Sequence, residues 1–344
     1  LKGNEILFLS QEDVKQCGGF DMVNIISIME KVFKLHHKKD YILPKKTALR
    51  WGDMDSESIT GRINSMPGFI GGDFNISGIK WISSAPQNPF KYNLPRATGL
   101  IILNDPNTLT PTAIMDGTLI SAMRTGANSG VAAKYLAKPD SKIIGLVGAG
   151  VQNRTQLLAL KAVLKEIEEI RIYDLDEARA RNFAKEMQSV VNTPILVMNS
   201  SEETIRGADV FVTATVTKTP IVNADWIKEG SLYIHVGSHE CEFDVIYQSD
   251  KIVVDDWGEL KHRGVETISI MYNTGNFDET TIYSELGAIV SGSKPGRENS
   301  TEKVYFNSVG MGIEDVAVAK AVYETAKNNH VGQSLSLWNT PTFI

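Results

Sequence analysis

The run Lys142-Ile-Ile-Gly-Leu-Val-Gly148-Ala149-Gly150-Val151-Gln152-Asn153 carries the strongest chemical signal in the chain. An apolar stretch ends at Gly148, a tight turn follows, and a helix begins near Gln152. Glycine at 148 permits the turn, and glycine at 150 lets the backbone approach a pyrophosphate with no side chain in the way. The helix start offers unpaired N–H groups and the positive end of its dipole to phosphates. Asn153 stands where the usual fingerprint has a third glycine. Asp174 ends the next apolar stretch, 24 residues past Gly150, where the fingerprint places an acid about 20 residues on. A carboxylate there accepts hydrogen bonds from the adenosine ribose and repels a 2′-phosphate, so NAD is the expected cofactor rather than NADP. The plainer alternative is a strand–turn–helix with an ordinary capping Asp.

Three cations sit among apolar neighbours: Arg50, Lys80 in Ile-Lys-Trp, and Arg124 among Ile120, Met123 and Ala127. An unpartnered buried cation is costly, so each either snorkels to solvent or meets an anion. His235 and His239 are four apart, a metal-binding spacing on a helix. They flank a predicted strand end, where such residues stand too far apart for one metal, and no metal is expected. His239 reads either as a polar loop histidine or as a proton acceptor, since histidine titrates near neutrality. Asp255-Asp256 reads as a strand-end or capping pair, and Glu314-Asp315 as acidic charge at a helix start.

The elements that must position these residues form two patterns. The first residues contain an amphipathic helix over about Asp21–His37, with Val23, Ile26, Met29, Val32 and Phe33 on one face. Short strands joined by turns follow, including Ile79–Ile82 and Leu100–Leu103, then an Ala-rich helix over about Thr118–Leu136 that ends before Pro139. From Ile143 onward, strands (Ile143–Val147, Ile170–Tyr173, Pro194–Met198, Val210–Val216, Leu232–Gly237, Lys251–Val254) alternate with helices. Apolar strands alternating with helices mark a doubly wound parallel sheet. A last helix, about Ile313–Asn328, returns to the first domain. The expected fold is α/β: a Rossmann-type doubly wound sheet over residues 125–312, plus a smaller α+β substrate-binding and dimerisation domain from 1–124 and 313–344.

Composition excludes other classes. Thirty-five basic against 41 acidic residues give a net charge of −6, which is no electrostatic footprint for nucleic acid or an anionic membrane. No apolar run approaches the ~20 residues of a membrane helix. Leu1 to Glu5 lack the pattern of a secretory signal. Two distant cysteines, Cys17 and Cys241, argue against a disulfide framework, so a reducing, cytoplasmic setting is expected.

Gly78-Ile-Lys80-Trp, Ile101-Ile-Leu-Asn-Asp105-Pro, Ser121-Ala-Met-Arg124-Thr125, the glycine run, Thr213-Ala-Thr215-Val-Thr217, Val236-Gly237-Ser238 and Ser308-Val-Gly310-Met-Gly312-Ile-Glu-Asp315 resemble, in order, the ornithine cyclodeaminase/mu-crystallin family. The resemblance runs over nearly the whole chain and implies a homodimer that pairs through its first domain. It also implies that Arg50, Lys80 and Arg124 hold a substrate α-carboxylate, with Lys80 near the reacting amine or imine. Thr125, Gly148, Ala149, Gly150, Val151, Gln152, Asp174, Thr215, Val216, Thr217, Ser308 and Gly310 are then the cofactor-binding residues.

Two positions depart from the cyclodeaminases of that family. Their Glu two residues before Met-Pro is Asn64 here, and their Asp after Val-Gly-Gly is His239. Those carboxylates activate the distal amine for cyclisation, and Glu240, adjacent, is the available substitute. Ser77-Gly-Ile-Lys-Trp, Asn88-Pro89, Arg96-Ala-Thr-Gly99, Val253-Val-Asp-Asp-Trp257 and Pro295-Gly-Arg297 resemble the branch that makes L-2,3-diaminopropionate for siderophores and peptide antibiotics. That resemblance implies NAD-dependent oxidation of N-(2-amino-2-carboxyethyl)-L-glutamate and hydrolysis of the imine. It assigns Arg96 or Arg297 to extra carboxylates, Asn64 to substrate, and water activation to His239 or Glu240. Cyclodeamination of ornithine, imine reduction or alanine dehydrogenation, and non-catalytic ligand binding are the rival activities.

Overall fold

The computed structural model describes residues 4–51 and 61–342, so Leu1 to Gly3 of the segment read for a secretory pattern lie outside the described residues. Two units divide the chain: Leu1–Arg124 with Met311–Ile344, and Thr125–Gly310. Met311 and Gly312 group with the helix they open, because the Met311 N–H donates to Glu314 of that helix at 3.1 Å. Among the described residues no helix is long and apolar enough to cross a membrane.

The Thr125–Gly310 unit is built on eight strands, all paired in parallel. Their order is Ile195–Val197, Glu169–Tyr173, Ile143–Val147, Val210–Thr213, Leu232–His235, Val304–Asn307, Lys251–Val254 and Ser284–Glu285. The central strands are buried along their whole length, which is why they read as unbroken apolar runs rather than as alternation. Successive strands run outward from Ile143–Val147 on one side, then restart beside it at Val210–Thr213. In open α/β sheets ligands bind at the carboxyl ends beside such a reversal. Two strands stop short of expectation, at Thr213 rather than Val216 and at His235 rather than Gly237. The Thr215 and Gly237 N–H groups both turn to the Glu240 carboxylate instead of extending the ladder.

The other unit holds a mixed eight-stranded sheet. Its order is Gln333–Trp338, Asn4–Leu9, Pro111–Asp116, Ala97–Asn104, Ile76–Ser84, Gly61–Ile70 and Tyr41–Ile42, with Thr47–Trp51 also pairing with Gly61–Ile70. The helix Gly312–Asn328 lies across this sheet and buries Val316, Ala319, Val322 and Ala326. Glycines set the approach. A Cβ on Gly312 would meet the Met66 carbonyl oxygen at 2.8 Å, and one on Gly68 would meet Ile313 at 2.9 Å. Asp21 caps the helix Met22–His37, which buries Ile25, Ile26, Met29, Val32 and Phe33. Val23, expected on that buried face, is instead 68% exposed. It stands in the first turn, about 160° round the wheel from Ile25 at about 100° per residue.

Candidate active site

At the reversal of the parallel sheet, Gly148 has φ +100°, and a Cβ there would meet the Ala214 carbonyl oxygen at 2.9 Å. Only glycine fits both demands. Gly150 has no heavy atom within 4 Å of an added Cβ, and it caps the helix Val151–Val163 without a side-chain bond. The open cradle in front of a helix N-terminus suits a pyrophosphate. Asn153 explains the missing third glycine: its buried Nδ2 donates to the Val147 and Gly148 carbonyls at 2.9 and 2.6 Å and ties the turn to the strand end. Asp174 Oδ2 accepts from the Ala149 N–H at 2.7 Å, so the acid sits against the glycine turn. Val151 and Val216 are about two-thirds exposed, at 65% and 64%. Thr125 lends its carbonyl to Gln156 at 3.3 Å, and Gln152 Oε1 is buried with no hydrogen-bond partner. The cradle, the apposed acid and this unmet acceptor fit a dinucleotide.

Two carboxylates organise the loops beyond these strands. Glu240 is fully buried. One oxygen accepts from the Thr215 N–H and Oγ1, both at 2.6 Å; the other accepts from Thr213 Oγ1 at 2.6 Å and the Gly237 N–H at 2.9 Å. Burial raises its pKa against these hydrogen bonds. A Cβ on Gly237 would lie 2.3 Å from the Glu240 carboxyl carbon, so glycine is what lets the carboxylate in. Glu240 therefore has no lone pair directed at solvent, which contradicts its expected use as a water-activating base; it pins two loops. Asp255 does the same for the third loop. Its Oδ2 accepts from Ser308 Oγ, the Val309 N–H and the Gly310 N–H at 2.8, 2.8 and 2.7 Å. Asp256 caps the next helix through the Glu259 N–H.

The two histidines are not equivalent. His235 is buried, with Nε2 2.6 Å from the Ser238 carbonyl and Nδ1 2.7 Å from Tyr305 Oη. The carbonyl can only accept, which assigns the proton to Nε2 and the acceptor role to Nδ1. Burial pulls its pKa down to about 4. His239 is partly exposed and stacks on Phe243; burial lowers its pKa too, leaving a neutral ring able to take a proton at pH 7. The Thr217 hydroxyl donates to the Thr219 carbonyl and shapes the turn after Thr215.

In the other unit, Lys80 and Arg124 are buried at 1% and 5% exposure. Lys80 Nζ lies 2.6 Å from Asp315 Oδ2 and 3.2 Å from Ser121 Oγ. Arg124 Nε reaches the other Asp315 oxygen at 3.1 Å, and its Nη1 reaches Glu314 at 2.8 Å. Burial and the Arg124 charge lower the Lys80 pKa to about 8, with Asp315 opposing. Asp315 and Ser121 were invisible in this role from the sequence; the signal was the small-residue pattern that lets the last helix approach. The bland reading of Glu314-Asp315 as dipole charge is thus incomplete. Arg50 is not brought to this cluster. It is exposed and pairs with Arg62, four residues along the strand from the Met66–Lys80 pair. Asn64 lies in the row between, paired with Ile82. Arg96 is exposed beside the end of these strands. Arg297, expected to serve a substrate carboxylate, is spent on the Leu136, Asn299, Glu302 and Ser231 carbonyls.

A family model for the ornithine cyclodeaminase/mu-crystallin family matches residues 8–330. The chain belongs to this family. The N-((2S)-2-amino-2-carboxyethyl)-L-glutamate dehydrogenase of Staphylococcus aureus is 36% identical over 335 residues, 97% of this chain and 99% of that protein. A Δ1-pyrroline-2-carboxylate reductase of Thermococcus litoralis, solved with NADH and L-proline, matches with a TM-score of 0.87 at 37% identity, covering 96% of this chain and 100% of its own. An archaeal alanine dehydrogenase dimer with bound NAD gives 0.88 at 34%, covering 97% and 100%. Within the ornithine cyclodeaminase/mu-crystallin family, then, this chain combines Asn64, His239 and a fully committed Glu240.

Proposed function

We propose that this chain is an NAD-dependent dehydrogenase that oxidises the C–N bond of N-(2-amino-2-carboxyethyl)-L-glutamate. Hydrolysis of the resulting imine gives 2-oxoglutarate and L-2,3-diaminopropionate. The observation that carries the reading is the buried Lys80–Arg124 pair balanced by Asp315 and Glu314. It is a preorganised carboxylate receptor rather than a surface charge. Lysine has three N–H donors, and Asp315 and Ser121 accept two of them, so the third serves a substrate carboxylate. Arg124, held by Asp315 and Glu314, adds a second fixed positive charge beside it.

Bound NAD supplies the two-electron acceptor that takes the Cα hydrogen as hydride. Gly148, Ala149, Gly150, Val151 and Gln152 hold its pyrophosphate, and Asp174 its ribose. Thr125, Thr215, Val216, Thr217, Ser308 and Gly310 frame its nicotinamide, with Glu240 and Asp255 fixing those loops. Lys80 and Arg124 hold the α-carboxylate and so fix the orientation of the Cα hydrogen. The amine nitrogen gives up its proton as the C=N bond forms. His239, neutral at pH 7, then takes a proton from the water that adds to the imine carbon and returns it to the nitrogen; the hydroxyl proton passes to the amine as the C=O bond forms, and the C–N bond breaks to release the primary amine. The exposed side chains of Leu49, Trp51, Trp81 and Leu100 lie on the opposite sheet face from Lys80. An apolar face of this kind supports a homodimer.

The test is NADH absorbance on mixing the protein, NAD and N-(2-amino-2-carboxyethyl)-L-glutamate, with L-ornithine, L-alanine and L-glutamate in parallel. NADH and 2-oxoglutarate from the first compound alone support the reading. NADH from alanine instead, or ammonia and proline from ornithine without NADH, overturns it.

A further inference from the structure

Two side chains on the first turn of the helix Val151–Val163 take up four successive backbone carbonyls of the glycine turn. Asn153 Nδ2 donates to those of Val147 and Gly148. Arg154 Nη1 donates to those of Ala149 and Gly150, at 2.8 and 3.1 Å. In a planar trans peptide the C=O and the N–H of the next residue point opposite ways. Holding the Ala149 and Gly150 carbonyls therefore turns the Gly150 and Val151 N–H groups away from the guanidinium. Those N–H groups open the helix, and the donors of a helix start are what a pyrophosphate meets.

The guanidinium is itself held from the neighbouring helix Glu177–Val191. Its Nε and Nη2 both donate to Glu186 Oε2, at 2.9 and 2.7 Å, and its carbon lies 5.1 Å from the ring centroid of the buried Phe183. The Glu186 side chain is 57% exposed, and an ion pair that open to water adds little stability. Its geometric effect is larger: one planar fork spans the glycine turn and the second helix, which the single ammonium of a lysine cannot reproduce in full. Asp176 caps that helix, and its N–H donates to Asp174 Oδ1, while Asp174 Oδ2 accepts from the Ala149 N–H. The turn, Arg154, Glu186, Asp176 and Asp174 thus close a ring that joins the glycine cradle to the acid after the next strand. We propose that Arg154, clamped by Glu186 and Phe183, is a positioning residue for the dinucleotide: it presets the glycine turn so that the Gly150 and Val151 N–H groups meet the pyrophosphate without rearrangement. The inference rests on the NAD-binding part of the proposed function and gives Arg154 no contact with the amino-acid substrate.

The test compares ADP-ribose, which carries the pyrophosphate, with adenosine, which does not, by their displacement of NADH from the full chain, followed by nucleotide fluorescence. In Arg154→Gln the dissociation constants of NADH and ADP-ribose should rise about ten- to a hundredfold, the equivalent of one hydrogen bond to a charged group, while that of adenosine is unchanged. Arg154→Lys should recover part of the loss, and Glu186→Gln should show a smaller one. The KM for NAD should rise in R154Q with kcat retained. An R154Q variant that binds ADP-ribose as the native protein does, or that loses adenosine in equal proportion, overturns the positioning role, and NADH binding by the native protein then leaves the dehydrogenase reading intact. Binding of neither NADH nor ADP-ribose by the native protein overturns both.

Discussion

Lys80 Nζ and Asp315 Oδ2 lie 2.6 Å apart, although 235 residues separate them in the chain. The pair is buried, and Arg124 shares the same carboxylate. Asp315 holds the lysine in its charged form against burial and against Arg124, while Glu314 and Ser121 complete the charged and polar groups facing it. Protonated Lys80 attracts carboxylates and the neutral amine does not, so affinity for 2-oxoglutarate should fall as pH rises through about 8. Asp315→Asn removes the charge that favours the ammonium, and the midpoint should move to lower pH. Titrations across pH check this, and an unmoved midpoint in D315N contradicts it. Asp315→Ala strands the buried Lys80 cation and leaves Arg124 with Glu314, and should cost about 3–5 kcal/mol of stability, read from denaturant midpoints.

In the proposed reaction His239 is the neutral base, and burial lowers its pKa below the ordinary value. Release of 2-oxoglutarate should decline as pH falls through that lowered value, because the protonated ring cannot accept a proton. His239→Gln should slow release by about 10²–10⁴-fold while the single-turnover burst of NADH persists. Equal loss of burst and release would assign the histidine to binding instead.

Glu240 accepts hydrogen bonds from both the Thr215 and Gly237 loops. Glu240→Gln places an amide donor among N–H groups, so the KM for NAD should rise by about tenfold or more. Substrate KM should change less, and a variant with native NAD affinity would show that the loops hold without the carboxylate.

Asp174 faces the glycine turn through the Ala149 N–H. Asp174→Ser should raise the KM for NAD by about tenfold or more and allow NADP to be used, since the repulsive carboxylate is gone. Comparison of kcat/KM for the two nucleotides measures it.

Trp81, 44% exposed, shares its sheet face with Leu100 and Leu49. Trp81→Arg puts charge on that apolar face and should shift the protein toward monomer in light scattering. A native protein that is monomeric at micromolar concentration removes the argument for a dimer.

The parallel sheet was legible because burial on both faces leaves unbroken apolar runs, and Ile143–Val147 and Lys251–Val254 agree with expectation to the residue. Strand ends were less so: two residues past Thr213 and His235, the Thr215 and Gly237 N–H groups turn to the Glu240 carboxylate instead of a neighbouring strand. The strands Asn4–Leu9, Pro111–Asp116 and Gln333–Trp338 went unread, although Ser334-Leu335-Ser336-Leu337 alternates as a strand should. In the candidate site, the buried cations Lys80 and Arg124 were visible as charges in apolar sequence. Their partner Asp315 was not, because pairing across 235 residues follows from how closely Gly68 and Gly312 let helix and sheet approach.

The most direct test of the central claim follows the hydrogen itself. N-(2-amino-2-carboxyethyl)-L-glutamate deuterated at the glutamyl Cα is incubated with protein and NAD, and the nucleotide is analysed by mass spectrometry. One deuterium in each reduced nucleotide and an equal amount of 2-oxoglutarate are expected. Reduced nucleotide without deuterium, or no reduction with this substrate while another amino acid supports it, would contradict the account.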